Sequence, residues 1–367
     1  MKKMIGLLAF CAAAAVATAA PRKSTKIVPR EALPALIPAP QRVEVTGPYR
    51  MPLLNVKVRI DSTLDLPAEG YVLETYKKGV RITARDEQGA VWARQTLRQL
   101  TDARGLVPSV RIVDWPAFGW RGFMHDTGRN FIPVDTLKRH LDLLSRYKIN
   151  LFHWHLTDYP AWRIESRAFP RLNDPVYQRP GRDVGKFYTY GEIRDVIAYA
   201  RRRGIRVVPE IDMPGHSAYF NSAFGFGMAD PRGMRVLERA LNEFFEEIPV
   251  EDAPWVHIGS DEVHIPNPTE FMRWADSVVR AAGRVPMVWD PGLTPASTGT
   301  IRQVWSEAPG YVADQTAGRG PFVDSYMGYL NNYDPISFTP RMLLHAPCGR
   351  AQGDSVALGG ILCLWND

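Results

Sequence analysis

Ile205-Arg206-Val207-Val208-Pro209-Glu210-Ile211-Asp212 is a short apolar run that ends in two carboxylates. A run of this length with little alternation reads as a strand covered on both faces, the habit of parallel sheets. Just upstream, Thr189 and Glu192 have capping-box spacing, and Gly204 supplies a helix stop. Further back, Asn150–Leu156 is a second apolar run, so the three pieces read as strand, helix, strand. The alternation continues in both directions. Further strand candidates are Gly122–Asp126, Trp255–Asp261, Val285–Asp290, Ile301–Ser306, Phe322–Tyr329 and Gly360–Trp365. Between them, Asp135 is placed to cap a helix with Leu137, Leu141 and Leu144 on one face. Asp230 precedes a helix over Arg232–Glu247, and Thr269–Ala282 runs into Gly283. Eight strands within residues 116–367 predict an α/β fold, a TIM (β/α)8 barrel. An open doubly wound sheet is the alternative, but no Gly-rich phosphate loop follows the first strand.

Residues 37–115 have a different texture. Asn55–Ile60, Tyr71–Tyr76 and Val80–Ala84 are strand-like, and Gly89–Leu100 has helical spacing, with Val91, Thr96, Leu97 and Leu100 as its apolar side. This predicts a small α+β domain, ended by Asp114-Trp115-Pro116, because Pro interrupts regular structure. Residues 21–36 are rich in Pro and basic residues and read as a linker. Residues 1–20 read as a Sec-type signal peptide: Lys2 and Lys3, an apolar stretch from Met4 to Val16, then Ala17-Thr18-Ala19. The expected location is therefore secreted or periplasmic. The apolar stretch is too short for a membrane anchor, and no transmembrane segment is expected in the mature chain. At the other end, no helix text follows Trp365, so the barrel is expected to lack its last helix and the natural protein to continue past Asp367.

The 367 residues are 45% hydrophobic and 23% charged, which excludes a disordered or collagen-like chain. Loss of the leader would lower the formal charge of +6 by two. The only basic block, Arg201-Arg202-Arg203, falls at a helix C-terminus, where cations suit the dipole, so nucleic-acid binding is not indicated. Beyond the leader only Cys348 and Cys363 remain, either one bridge or two core thiols.

A barrel places its chemistry where strands give way to loops. Here those positions combine carboxylates with an excess of Trp and Tyr, a mixture suited to sugars: ring faces meet aromatics and hydroxyls meet charged acceptors. Ile258-Gly259-Ser260-Asp261-Glu262-Val263 is the most informative of these stretches. Two adjacent carboxylates repel, so one tends to keep its proton and can serve as a general acid. Neighbours only about 3.8 Å apart at Cα cannot flank a scissile bond from opposite sides. A glycosidase built on this pair would take its nucleophile from elsewhere, including the substrate itself. His153-Trp154-His155 places two rings on one side of a strand. A metal site is one reading, with His216 and Asp261 as further ligands. Hydrogen-bonded interior histidines are the preferred one, so neither metal nor cofactor is expected.

In order along the chain, Trp120-Arg121-Gly122, Asp126-Thr127-Gly128-Arg129-Asn130-Phe131, Trp154-His155-Leu156-Thr157-Asp158, Pro209-Glu210-Ile211-Asp212-Met213-Pro214-Gly215-His216 and His257-Ile258-Gly259-Ser260-Asp261-Glu262-Val263 resemble glycoside hydrolase family 20, the β-N-acetylhexosaminidases. Ile37-Pro38-Ala39-Pro40-Gln41 and Gln95-Thr96-Leu97-Arg98-Gln99-Leu100 resemble the small domain preceding that family's barrel. The resemblance implies an exo-acting retaining enzyme that releases terminal β-linked N-acetylglucosamine or N-acetylgalactosamine from glycans. It implies Glu262 as general acid/base and Asp261 as the carboxylate that orients the substrate's 2-acetamido group, with Tyr329 hydrogen-bonded to the acetamido oxygen. Trp289, Trp305 and Trp365 would wall the pocket, Arg129 and Asp367 would hold ring hydroxyls, and Asp158 and His216 would tune the acid. Departures are Asn130 where many members have His, Tyr159 where a second Asp is common, and Asn331 at a sugar-binding position often occupied by Asp. Asp367 is also one methylene shorter than the usual Glu. They bear on the 4- and 6-hydroxyls and so on the choice between the two sugars. A disaccharide-releasing relative such as a lacto-N-biosidase, and a non-catalytic sugar-binding barrel, are the alternatives.

Overall fold

The computed structural model describes residues 33–306, 319–331 and 334–366. The leader and most of the linker read from the sequence, and Asp367, lie outside the described residues. The N-terminal layer is a five-stranded sheet of β1 (Arg42–Pro52), β2 (Val56–Ile60), β3 (Tyr71–Tyr76), β4 (Gly79–Ala84) and β5 (Leu106–Asp114), in the order β1-β5-β3-β4-β2. Helix α1 (Glu87–Leu100) packs on it and is capped by Asp86, which accepts the Gly89 N–H at 2.8 Å. Its buried face holds Ala90, Trp92, Ala93, Thr96, Leu97 and Leu100. Val91, expected on that face, lies on its half-buried flank. The sequence reading missed β1 and β5. Most of β1 is exposed at the sheet edge and shows no inward-outward alternation, while β5 carries Pro108.

Eight parallel strands close the barrel: β6 (Trp120–Asp126), β7 (Leu151–His155), β10 (Arg206–Glu210), β11 (Trp255–His257), β12 (Val285–Asp290), β13 (Ile301–Val304), β14 (Phe322–Asp324) and β15 (Ala357–Leu364). β15 pairs with β6 from Gly359↔Trp120 to Leu364↔His125, which joins the last strand to the first. A two-stranded hairpin, β8 (Thr157–Asp158) and β9 (Ala161–Trp162), follows β7. The covering helices include α2 (Val134–Arg146), α3 (Tyr190–Arg201), α4 (Ala218–Phe224), α5 (Pro231–Glu247) and α6 (Pro268–Ala281), and a further helix, α7 (Pro335–Leu344), buries none of its residues.

The capping box of Thr189 and Glu192 is formed, and Gly204 turns left-handed (φ 73°) three residues past α3. Asp230 caps α5 as expected. Asp135 does not cap α2; Pro133 precedes the helix, and Asp135 sits in its first turn, where its charge faces the positive end of the dipole. Strand β11 is shorter than the expected Trp255–Asp261 because Gly259 (φ 66°) and Ser260 (φ 85°) turn left-handed after His257. Cys348 and Cys363 are both buried free thiols.

Candidate active site

The C-terminal ends of β7, β10, β11 and β12 converge on Glu210, which is fully buried. Its Oε2 lies 2.8 Å from His153 Nε2 and 2.5 Å from His155 Nδ1, and its Oε1 accepts the Trp289 indole N–H at 2.7 Å. Burial alone would raise the Glu210 carboxyl; the surrounding histidines, His155 foremost, hold it well below its ordinary value. Burial likewise disfavours the charged ring of His155, but Glu210, Asp158 and Asp126 outweigh it, so His155 is held as a cation. His153, two residues away, is pushed down to about 4 by burial despite Glu210 and is neutral. One buried glutamate thus faces charged His155 and neutral His153 through one oxygen, and His257 Nδ1 at 3.3 Å through the other.

His155 passes this charge outward. Its Nε2 lies 2.8 Å from Asp158 Oδ2, which also meets Arg129 at 3.0 Å. Burial would raise Asp158, but His155 and Arg129 lower it. Arg129 is shared with Asp126 at 3.0 Å and stands 4.9 Å over the Trp365 ring. His216 Nδ1 lies 3.7 Å from the other Asp158 oxygen, and its Nε2 lies 3.5 Å from Glu262 and 3.9 Å from Asp261. Asp261 is buried, whereas the Glu262 side chain is 58% exposed and open to a ligand. Glu262 has φ 49°, so the pair leaves the barrel on left-handed backbone. A Cβ on Gly259 would collide with Asp212 Oδ1, and the left-handed φ there also favours Gly.

Adjacency predicts that repulsion between Asp261 and Glu262 leaves one of them protonated at neutral pH; the shift at Asp261 has another cause and leaves it largely ionised there. Asp261 is pushed up to about 6, chiefly by burial; His216 opposes the rise and the Glu210 charge adds to it. Behind it, Asp212 is raised well above its ordinary value by burial and then by Asp261, so it is protonated at neutral pH.

An aromatic chain forms the other wall. Trp289 and Trp365 lie 5.6 Å apart, Trp365 and Tyr329 5.9 Å, and Tyr329 stacks with Trp305 at 6.3 Å and 13°. Burial raises the Tyr329 phenol far above its ordinary value, so it remains a neutral hydrogen-bond donor. Thus Arg129, Asp158, His216, Asp261 and Glu262 form one polar chain and the four aromatics one wall, joined where Arg129 covers Trp365. Asn331 follows the Tyr329 turn, where Leu330 N–H bonds Cys363 O at 2.8 Å. Asn130 bonds the Asn366 carbonyl at 2.7 Å. The sequence reading assigned no role to Glu210 or Asp212, while His153 and His155 are the hydrogen-bonded interior histidines it preferred. Their signal was the run of carboxylates and histidines at strand ends, but only the closed barrel shows which ones meet.

Several carboxylate–histidine triads lie close enough to hold an ion, among them His153–Glu210–His257 and His216–Asp261–Glu262. His155 cannot serve as a ligand while protonated, because both ring nitrogens then carry protons turned to Glu210 and Asp158. A cavity of about 700 Å³ lined by Trp120, Arg206 and Trp255 opens at the opposite end of the barrel. At that end barrel residues serve stability rather than chemistry.

Residues 118–230 match the model of the glycosyl hydrolase family 20 catalytic domain, and residues 53–115 match that family's domain 2. A beta-hexosaminidase of Porphyromonas gingivalis is 37% identical over 238 residues, 56% of this chain and 31% of that protein. A beta-N-acetylhexosaminidase of Cellulomonas fimi is 34% identical over 295 residues, 72% of this chain and 58% of that protein. The chain thus spans less than two thirds of the length of these relatives. Among solved structures, a Streptomyces plicatus beta-hexosaminidase in complex with product (GlcNAc) superposes with a TM-score of 0.77 at 26% identity, covering 93% of this chain and 87% of that one. A Vibrio harveyi exo beta-N-acetylglucosaminidase in complex with N-acetylglucosamine has the same fold, with a TM-score of 0.79 at 24% identity, covering 95% and 72%.

Proposed function

Because this chain belongs to glycoside hydrolase family 20, we propose that it is an exo-acting β-N-acetylhexosaminidase that cleaves terminal β-linked N-acetylglucosamine or N-acetylgalactosamine from glycans with retention. The observation that carries this reading is the Asp261-Glu262 pair, with His216 within 3.9 Å of both carboxylates. Glu262, the exposed member, protonates the glycosidic oxygen as the bond to the anomeric carbon breaks. The substrate's acetamido oxygen attacks that carbon and forms an oxazolinium ring. Asp261, once ionised, orients the acetamido N–H and balances the positive charge, and the Tyr329 hydroxyl hydrogen-bonds the acetamido oxygen. Trp289, Trp305 and Trp365 exclude water and pack the methyl group and sugar ring. Glu262, now a carboxylate, takes a proton from water, which opens the ring on the same face. In this proposal Arg129 holds ring hydroxyls, and its ion pairs with Asp126 and Asp158 support that reading by balancing its charge. Asn331 and Asp367 belong to the same substrate-contacting set in this proposal. The leader-like residues 1–20 fit a secreted or periplasmic location.

The test is hydrolysis of an aryl N-acetyl-β-glucosaminide beside the plain β-glucoside, which lacks the internal nucleophile. Rapid turnover of the first and almost none of the second is expected; equal rates would overturn the mechanism. Glu262→Gln should lower kcat about a hundredfold or more. Product analysis on a longer glycan separates monosaccharide from disaccharide release.

A further inference from the structure

Every residue from Leu151 to Ile164 is buried except Tyr159, which is 50% exposed. Tyr159 and Pro160 form the turn of the β8–β9 hairpin, so the lone exposed side chain of this run is an aromatic ring at a fixed tip. The hairpin is held from below by buried Thr157, Asp158, Ala161 and Trp162. The tip is also held from the side. Arg179 N–H bonds the Pro160 carbonyl at 3.1 Å, and the Arg179 guanidinium stands 5.5 Å from the centre of the Tyr159 ring. Arg179 thereby backs the ring and restrains it, a cation–π arrangement that lowers the entropy cost of using the other side.

The tip lies on the acid's side of the pocket. Tyr159 N–H bonds Asp158 Oδ1 at 2.5 Å, and this is the same oxygen that approaches His216, which in turn approaches Glu262. The other Asp158 oxygen faces Arg129 and His155. A sugar attached to the oxygen that Glu262 protonates lies on the side of the pocket where Glu262, His216 and Asp158 lie, the side that carries this tip. Pyranose C–H faces pack on aromatic rings, and a restrained ring is the efficient form of such a platform.

Resting on the hexosaminidase reading, we propose that Tyr159, backed by Arg179, is the stacking platform for the sugar on the leaving-group side of the scissile bond. Tyr159 is a specificity residue for the second sugar, with no part in bond cleavage.

The experiment compares the β-1,4-linked disaccharide of N-acetylglucosamine with N-acetyl-β-glucosaminyl fluoride, which has no leaving sugar. Tyr159→Ala should lower kcat/KM for the disaccharide about three- to tenfold relative to the fluoride, mainly through KM. Tyr159→Trp should restore the ratio, and Arg179→Ala should lower it by less. Equal losses on both substrates would assign Tyr159 to propping Asp158 and overturn the proposal. So would a disaccharide ratio unchanged in Tyr159→Ala, or a parent active on the fluoride alone. A parent inactive on both would overturn the functional reading and this inference together.

Discussion

At the scale of single residues, the site separates charge states that sequence alone leaves equal. Asp261 and Glu262 were legible as a pair because two carboxylates at a strand end are rarely accidental. Glu210 was not, since nothing local says that His153, His155 and Trp289 will meet it across the barrel. That buried network fixes which groups are charged. With its carboxyl pushed up to about 6, Asp261 is ionised above that pH and neutral below it. If the charged form stabilises the oxazolinium ring, kcat/KM should fall about tenfold per pH unit below 6. A pH–rate profile checks this: a profile flat down to pH 4.5 would show that the Asp261 charge is not used. The expected acidic limb belongs to Asp261; removing its carboxylate in Asp261→Asn should abolish that limb along with most of the turnover.

At the scale of elements, the text was most legible where a helix carries its own stop signals. Thr189, Glu192 and Gly204 delimit α3 in the sequence and in the fold alike. Because the Thr189 hydroxyl accepts the Glu192 N–H and otherwise bonds only the Glu192 carboxylate, Thr189→Ala should cost about 1 kcal/mol. For a chain of this size that is roughly a 1–2 °C drop in melting temperature, with the activity retained. A loss of activity at full stability would contradict this division of labour. Strand ends were less legible than helix ends. β11 was expected to run to Asp261, but left-handed turns at Gly259 and Ser260 stop it at His257 and lift the carboxylates off the ladder. Helix α7 escaped notice because Pro335 and Pro340 break up its text. Strand β1 escaped because its faces are both largely wet.

At the scale of the whole molecule, the barrel and the layer before it were both legible from the change in periodicity near Pro116, but the seam between them was not. Glu69 of the N-terminal layer accepts from Trp92 on its own side at 2.6 Å, and from Arg121 (2.6 Å) and Asn150 (3.1 Å) on the barrel side. Buried Lys148 of the barrel reaches back to Asp114 at 2.8 Å and Tyr71 at 3.0 Å. Gln88, Gln95 and Gln99, on one helix, bond Gly204, Ser145 and Arg146. Separating the two parts would break these charged hydrogen bonds together, each worth about 1–3 kcal/mol. The halves therefore share one cooperative melting unit despite their different architectures. A calorimetric scan should give a single endotherm for both, where two resolved peaks would mean that the seam contributes little. In evolutionary terms, the small layer would be an inseparable footing for the barrel rather than a module free to be shuffled onto other enzymes.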